Sequence, residues 1–207
     1  MSAHDEASGR LGPLAHEHRA RVAEILRATA AFHEDEVNLA LELFDETFTA
    51  PAGRAAVATA EREPAVADYE FIGSFTASNA LLGYACFGAT PSTQGTYDLY
   101  WIAVDPEHHG RGAGSRLLDA VERRLAAHDG RLLVIETSSR PDYENTRSFY
   151  EHRGYRPSAL IADFYAPGDD RLILTKRLSR PHDHPRSSQS SPVPAVPRPN
   201  PEFTRHE

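Results

Sequence analysis

The chain has 207 residues with 22 basic and 30 acidic side chains, giving a formal net charge of -8. That length suits one ordinary domain with a sizeable core, and the charge argues against nucleic-acid binding, which calls for a basic field. The single cysteine, Cys86, excludes an internal disulfide and points to a reducing compartment. No apolar run approaches the roughly 20 residues that cross a bilayer. Met1–Glu6 lacks the basic start and apolar core of a signal peptide. A cytoplasmic location is expected, with no nucleic acid and no membrane as partner.

In chain order, residues 1–13 are small and polar and read as a disordered segment, with no clear strand before residue 20. A single α/β domain is expected over 14–178. Val22, Ile25, Leu26 and Thr29 mark a first helix. Val37, Ala40, Leu41, Phe44 and Phe48 mark a second, with Glu34-Asp35-Glu36 in its acidic first turn. Pro51 to Pro64 is a charged, small-residue connection. Tyr69–Phe75 and Leu81–Gly88 read as a hairpin turning at Ser78-Asn79-Ala80, and Thr96–Val104 as a third strand. Gly114, Leu117, Leu118, Val121 and Leu125 form the apolar stripe of a third helix. The near-continuous apolar run Leu132–Thr137 predicts a strand buried on both faces. A fourth helix from about Tyr143 ends at Gly154, a left-handed cap. Arg156–Tyr165 and Leu172–Lys176 supply the last strands. From Ser179 the chain carries seven prolines and a serine cluster, which predicts a disordered tail over 179–207. Its Pro194-Ala-Val-Pro197 matches a polyproline ligand pattern, a match expected by chance in such a tail. His16/His18 and His182/His184 have ligand-like types but fall in terminal segments read as flexible, so no metal site is expected. His108 reads as a solvated loop residue.

Between the third strand and third helix, Gly110, Gly112 and Gly114 alternate. Glycines there permit left-handed backbone and let a ligand approach bare N–H groups at a helix N-terminus, a site for phosphate. A P-loop would need a lysine that is absent. A dinucleotide fingerprint would need glycine at 115, which is Ser115. A glycine-rich turn with no ligand is the bland alternative.

Three stretches separate these readings. Ile102-Ala-Val104-Asp-Pro106 closes the strand, His109-Gly-Arg-Gly112-Ala-Gly114 follows, and Ser148-Phe-Tyr150-Glu-His-Arg-Gly154-Tyr155 ends the fourth helix. Together they resemble the GNAT superfamily of N-acetyltransferases, whose signature is [QR]-x-x-G-x-[GA], with His109 in place of Gln or Arg. The resemblance covers about 96–156 and, more loosely, 20–95. It implies an α/β (α+β) fold: a mixed, mostly antiparallel central sheet of about six to seven strands, flanked by about four helices and splayed at the strand carrying 97–104.

The resemblance further implies acetyl-CoA as acetyl donor. Its pyrophosphate would lie on His109, Gly110, Arg111, Gly112, Ala113, Gly114 and Ser115. Its pantetheine arm would run along Ile102, Ala103 and Val104, with an N–H near Val104 as oxyanion donor. Acetyl passes directly to an amine, a small molecule or a peptide, with Tyr150 as acid for the departing thiolate. Tyr143 stands where the family often has Asn, and Asn145 comes two residues late. Glu136 interrupts an apolar strand and is the candidate base; a salt bridge is the competing reading. Asp98, sharing a strand face with Tyr100, ranks below it. Cys86 reads as core. Family members often dimerise, so a homodimer is compatible. A non-catalytic acyl-CoA-binding sensor or regulatory module is the second function class.

Overall fold

The computed structural model describes residues 9–49 and 69–178. The first eight residues, the Pro51–Pro64 connection and the proline-rich tail with His182 and His184 lie outside them. The described elements are β1 (Arg10–Pro13), α1 (Arg19–Ala28), α2 (Glu34–Thr49), β2 (Glu70–Phe75), β3 (Leu81–Ala89), β4 (Thr96–Val104), α3 (Ala113–Ala127), β5 (Leu132–Ser138), α4 (Glu144–His152), β6 (Arg156–Ala166) and β7 (Asp169–Arg177). One 7-stranded sheet runs β1-β2-β3-β4-β5-β7-β6. Only β4 and β5 pair in parallel, because α3 carries the chain back between them. The mixed sheet with four helices is the expected architecture.

Two apolar layers close the faces. Val22, Ile25 and Leu26 of α1 and Phe44 of α2 pack on Phe71, Phe75, Tyr84 and Cys86. On the other face, Leu117, Leu118, Val121 and Leu125 of α3 and Tyr150 of α4 pack on Phe87, Leu99, Leu133, Ile135 and Leu174. The 3.6-residue spacing of the α3 stripe puts those side chains on one side. Burying each such leucine contributes roughly 1.5–3 kcal/mol. Among the described residues, no helix is long and apolar enough to cross a membrane.

Three expectations are corrected. Arg10–Pro13, inside the stretch read as disordered, is the edge strand β1, paired antiparallel with Ile72–Phe75. Four residues ending in proline give no alternation to detect. His16–His18 is not flexible but a 3-10 turn leading into α1, and the His18 ring packs 5.2 Å from Phe75. β5 is fully buried on one face, through Leu133, Ile135 and Thr137; on the other, Leu132 and Val134 are half-buried, Glu136 is exposed and only the terminal Ser138 is buried. The α1–α2 layer covers β2, β3 and the end of β4 and does not extend over β5. Asp98 and Tyr100 share a strand face as expected: Tyr97 and Leu99 are buried in the α3–α4 layer, and the Tyr100 ring packs 5.1 Å from Tyr69 on the α1–α2 side. The alternation breaks only after Tyr100. Cys86 pairs with Trp101 but Phe87 with Leu99, so Tyr100 is an extra, bulged residue. Asp98 accepts a hydrogen bond from the Thr90 hydroxyl at 2.6 Å, beside the paired part of β5.

Candidate active site

β4 and β5 pair only over Thr96–Leu99 and Leu132–Ile135. Beyond Leu99, β4 keeps β3 as a neighbour through Val104 but has no partner on its other side. This is the expected splay. Asp105 N–H donates to Leu82 O at 2.8 Å, so its backbone points toward β3. Backbone direction alternates along a strand, and Val104 and Ile102 therefore turn their N–H and C=O groups into the gap. His109 Nε2 lies 2.8 Å from Val104 O, which occupies that carbonyl and leaves the Val104 N–H as the open polar group. His109 thus ties the glycine loop back to the strand end.

A second tie sits at Asp105. Its carboxylate accepts from Glu107 N–H at 2.9 Å, starting the short turn Pro106–His108. It also pairs with Arg21 of α1, whose Nε donates to Leu81 O at 3.2 Å. Burial pushes the Asp105 carboxyl up, but the Glu107 amide and Arg21 outweigh it and hold it below the ordinary range.

The glycines divide their work. Gly110 and Gly112 have φ of +71° and +78°, a region that penalises side chains. Gly114 has ordinary helical backbone. A Cβ there would meet only Val104 Cγ2 at 3.8 Å and Phe149 Cζ at 3.9 Å, normal contacts. The protein itself thus has room for a side chain at 114, and the missing Cβ leaves cavity space for a ligand. The first bond of α3 runs from Arg116 N–H to Gly112 O at 3.0 Å, so the amides of Ala113, Gly114 and Ser115 have no partner within the helix. Such a cradle fits a phosphate-bearing ligand.

A cavity of about 670 Å³ joins these parts. Ile102, Ala103, Val104, His109, Gly110, Gly112, Ala113, Gly114, Ser115 and Tyr150 all line it. Of the residues expected in the site, Arg111 and Glu136 are not in the lining. Glu136, one position past the last β4–β5 pair, is ion-paired with Arg171 of β7. His108, read as solvated, lines the cavity with its Nδ1 buried. Asn145, set aside as coming two residues late and pointing elsewhere on its helix, does line the cavity, and Thr29, Ala31, Phe32, Asp142, Thr146 and Phe149 of the lining were given no role. Only the position of Asn145, near the family's usual Asn, could have signalled any of them. Tyr143 turns away from the cavity and donates to Ala31 O at 2.5 Å.

Tyr150 is buried in α4, with Phe149 and Tyr155 packed at 5.2 and 5.6 Å between ring centres. Burial pushes its phenol above the usual range. The helix around it is fixed: Arg153 pairs with Asp119 of α3, and the Tyr155 hydroxyl donates to Glu122 at 3.0 Å. Gly154, at φ +85°, ends the helix as expected. Cys86 is buried in the α1–α2 layer, where burial pushes its thiol up and keeps it protonated.

The sequence model of the acetyltransferase (GNAT) family matches residues 37–155. Among solved structures, a protein assigned to the GNAT family from Desulfovibrio desulfuricans is 33% identical, with a TM-score of 0.71 over 83% of this chain and 99% of its own. The ribosomal-protein-S18-alanine N-acetyltransferase of Escherichia coli shares the fold at 16% identity and TM-score 0.61, over 83% of this chain and 94% of its own. An aminoglycoside 6'-N-acetyltransferase solved with coenzyme A shares it at 14% identity and TM-score 0.62, over 84% and 99%. An uncharacterised Mycobacterium leprae protein is 34% identical over 110 residues, 51% of this chain and 28% of that protein. The chain thus spans just over a quarter of that relative's length. With the family's sequence model covering more than half of its residues, and with this sheet, splay and glycine cradle, the chain belongs to the GNAT acetyltransferase family.

Proposed function

We propose that the chain is an N-acetyltransferase that moves acetyl from acetyl-CoA directly to a primary amine, a small molecule or a peptide. One observation carries this reading: the free amides of 113–115, the open Val104 N–H and Tyr150 converge on one cavity. The cradle amides and the positive end of α3 would hold the pyrophosphate, with Arg111 beside them in the loop. Acetyl-CoA supplies an activated thioester. The Val104 N–H is placed to stabilise the oxyanion that forms as the amine adds, a contribution typically worth a few kcal/mol.

Tyr150 would then give its proton to the leaving thiolate. A free phenol near pKa 10 and a thiol near 8.5 make this uphill. Burial raises Tyr150 further, but a thiolate desolvated in the same cavity also rises, as Cys86 does in the core. The gap between the two therefore changes little, and the phenol stays protonated at neutral pH. For the ammonium proton we assign Glu136, on the uncovered face of β5 at the splay. Its carboxylate is ion-paired with Arg171 of β7.

The same ion pair favours a second reading, a non-catalytic acyl-CoA-binding module, because an engaged carboxylate is a poor base. Release of free CoA thiol from acetyl-CoA over a panel of primary amines separates the two. Amine-dependent release supports the enzyme. Acetyl-CoA binding with no release on any amine supports the module. No binding at all removes both.

A further inference from the structure

Once donor contacts are set aside, the lining left for an acceptor includes Thr29, Ala31 and Phe32, the turn between α1 and α2. That turn is anchored at its start, where Thr29 N–H donates to Ile25 O at 3.1 Å and the Thr29 hydroxyl to Leu26 O at 2.8 Å, and Arg27 pairs with Glu34 across it. Ala30 sits at φ +51°, a left-handed conformation usually left to glycine. Beyond Thr29 the local bonds are Ala30 N–H to Arg27 O at 3.1 Å and a long 3.4 Å contact from Ala31 N–H to the Thr29 hydroxyl. Across the seam stands Tyr143, 112 residues away in sequence, with its hydroxyl on Ala31 O at 2.5 Å.

Tyr143 is itself held firmly. The Arg140 guanidinium lies over its ring at 5.3 Å. Arg147 of α4 donates to both Ser138 O and Arg140 O at 2.8 Å, which fixes the loop after β5. The Tyr143 phenol is raised by burial and then by Glu36, so it remains a donor at neutral pH.

We propose that Tyr143 is a positioning residue for the acceptor: its hydrogen bond to Ala31 holds the Thr29–Phe32 wall in place while its own side chain stays out of the cavity. This rests on the N-acetyltransferase reading of the cavity. The bond is a clasp between a rigid donor-side anchor and a strained turn. Losing it frees the wall without altering the glycine cradle, β4 or Tyr150.

The test compares the wild type with Tyr143→Phe, which keeps the ring and removes the donor. Steady-state rates are measured with acetyl-CoA and n-butylamine, putrescine, L-lysine and an alanine-starting peptide. With the best acceptor, its KM should rise about three- to ten-fold, the loss of one hydrogen bond. The KM for acetyl-CoA and kcat should stay within about two-fold on the same ground, since donor contacts are untouched. An unchanged acceptor KM, or both KM values rising together, overturns the proposal. Hydrogen exchange of the free protein gives a second readout: amides of 29–33 should exchange faster in Tyr143→Phe, and those of 113–127 should not. If the wild type acetylates none of the amines, the N-acetyltransferase reading fails on that result. Exchange at 29–33 then decides the clasp alone, and an unchanged rate there overturns it.

Discussion

The two sides of the cavity are built differently. The side proposed for the donor is one continuous stretch, from Ile102 to Ser115, made largely of backbone. Its glycines, its open strand edge and its helix N-terminus are all set by local sequence. The wall proposed for the acceptor includes the turn Thr29 to Phe32, whose Ala31 carbonyl is met by a side chain 112 residues further on. A group met by backbone can be recognised with few side-chain choices, so it can stay constant while the acceptor side varies. The acceptor side depends on packing between distant segments, and there a single substitution can retune the site.

The largest loss of turnover is expected where the proposed donor side meets the chemistry. Tyr150→Phe should lower kcat about ten-fold or more, with acetyl-CoA affinity little changed, because the ring remains and only the proton is lost. An unchanged kcat would remove Tyr150 from the reaction.

A second contrast compares the layers rather than the walls. Tyr84 lies in the α1–α2 layer, and Tyr150 and Tyr155 in the α3–α4 layer. Burial pushes all three phenols up. The unfolded chain releases these protons near pH 10 while the folded protein keeps them. Stability is therefore whole below about pH 10 and falls above it, by about 4 kcal/mol per pH unit for three phenols. Urea unfolding between pH 9 and 11.5 measures this, and Tyr84→Phe should remove about a third of the slope. A flat profile would mean that the phenols are not shielded in either layer.

Glu136→Gln sharpens the contrast at the splay. The variant should lose about ten-fold or more in kcat/KM at neutral pH if Glu136 is the base. A variant with the wild-type rate would leave the Arg171 pair as a structural feature alone.

The smallest effect tests the strained turn. Ala30→Gly relieves a left-handed alanine and should raise stability by about 1 kcal/mol in urea unfolding. Destabilisation instead would mean that the turn is not strained.

Legibility in the sequence follows the same division. The glycine loop could be read because its φ demands, its helix start and its strand end lie within 14 residues, Ile102 to Ser115. α3 could be read because Leu117, Leu118, Val121 and Leu125 repeat at helical spacing. β1 could not, since four residues paired at an edge carry too little pattern. The bulge at Tyr100 is invisible to an alternation rule that assumes it away. The open face at Glu136 depends on where α1 and α2 end across the sheet, which no local window contains. Tyr143 was noticed as a departure from a motif, yet its partner Ala31 could be found only in three dimensions.

The central claim is that the glycine cradle is a donor site kept open for a ligand, and Gly114 tests it most directly. A Cβ at 114 meets nothing closer than 3.8 Å in the protein, while it fills space that the ligand needs. Calorimetric titration of acetyl-CoA into the wild type and Gly114→Ala, with thermal unfolding of both, separates these effects. We expect saturable binding to the wild type, binding weakened at least about ten-fold in the variant, and unfolding temperatures within about 4 °C, a shift of under about 1 kcal/mol. Equal acetyl-CoA binding by a folded Gly114→Ala would contradict the assignment of this cavity.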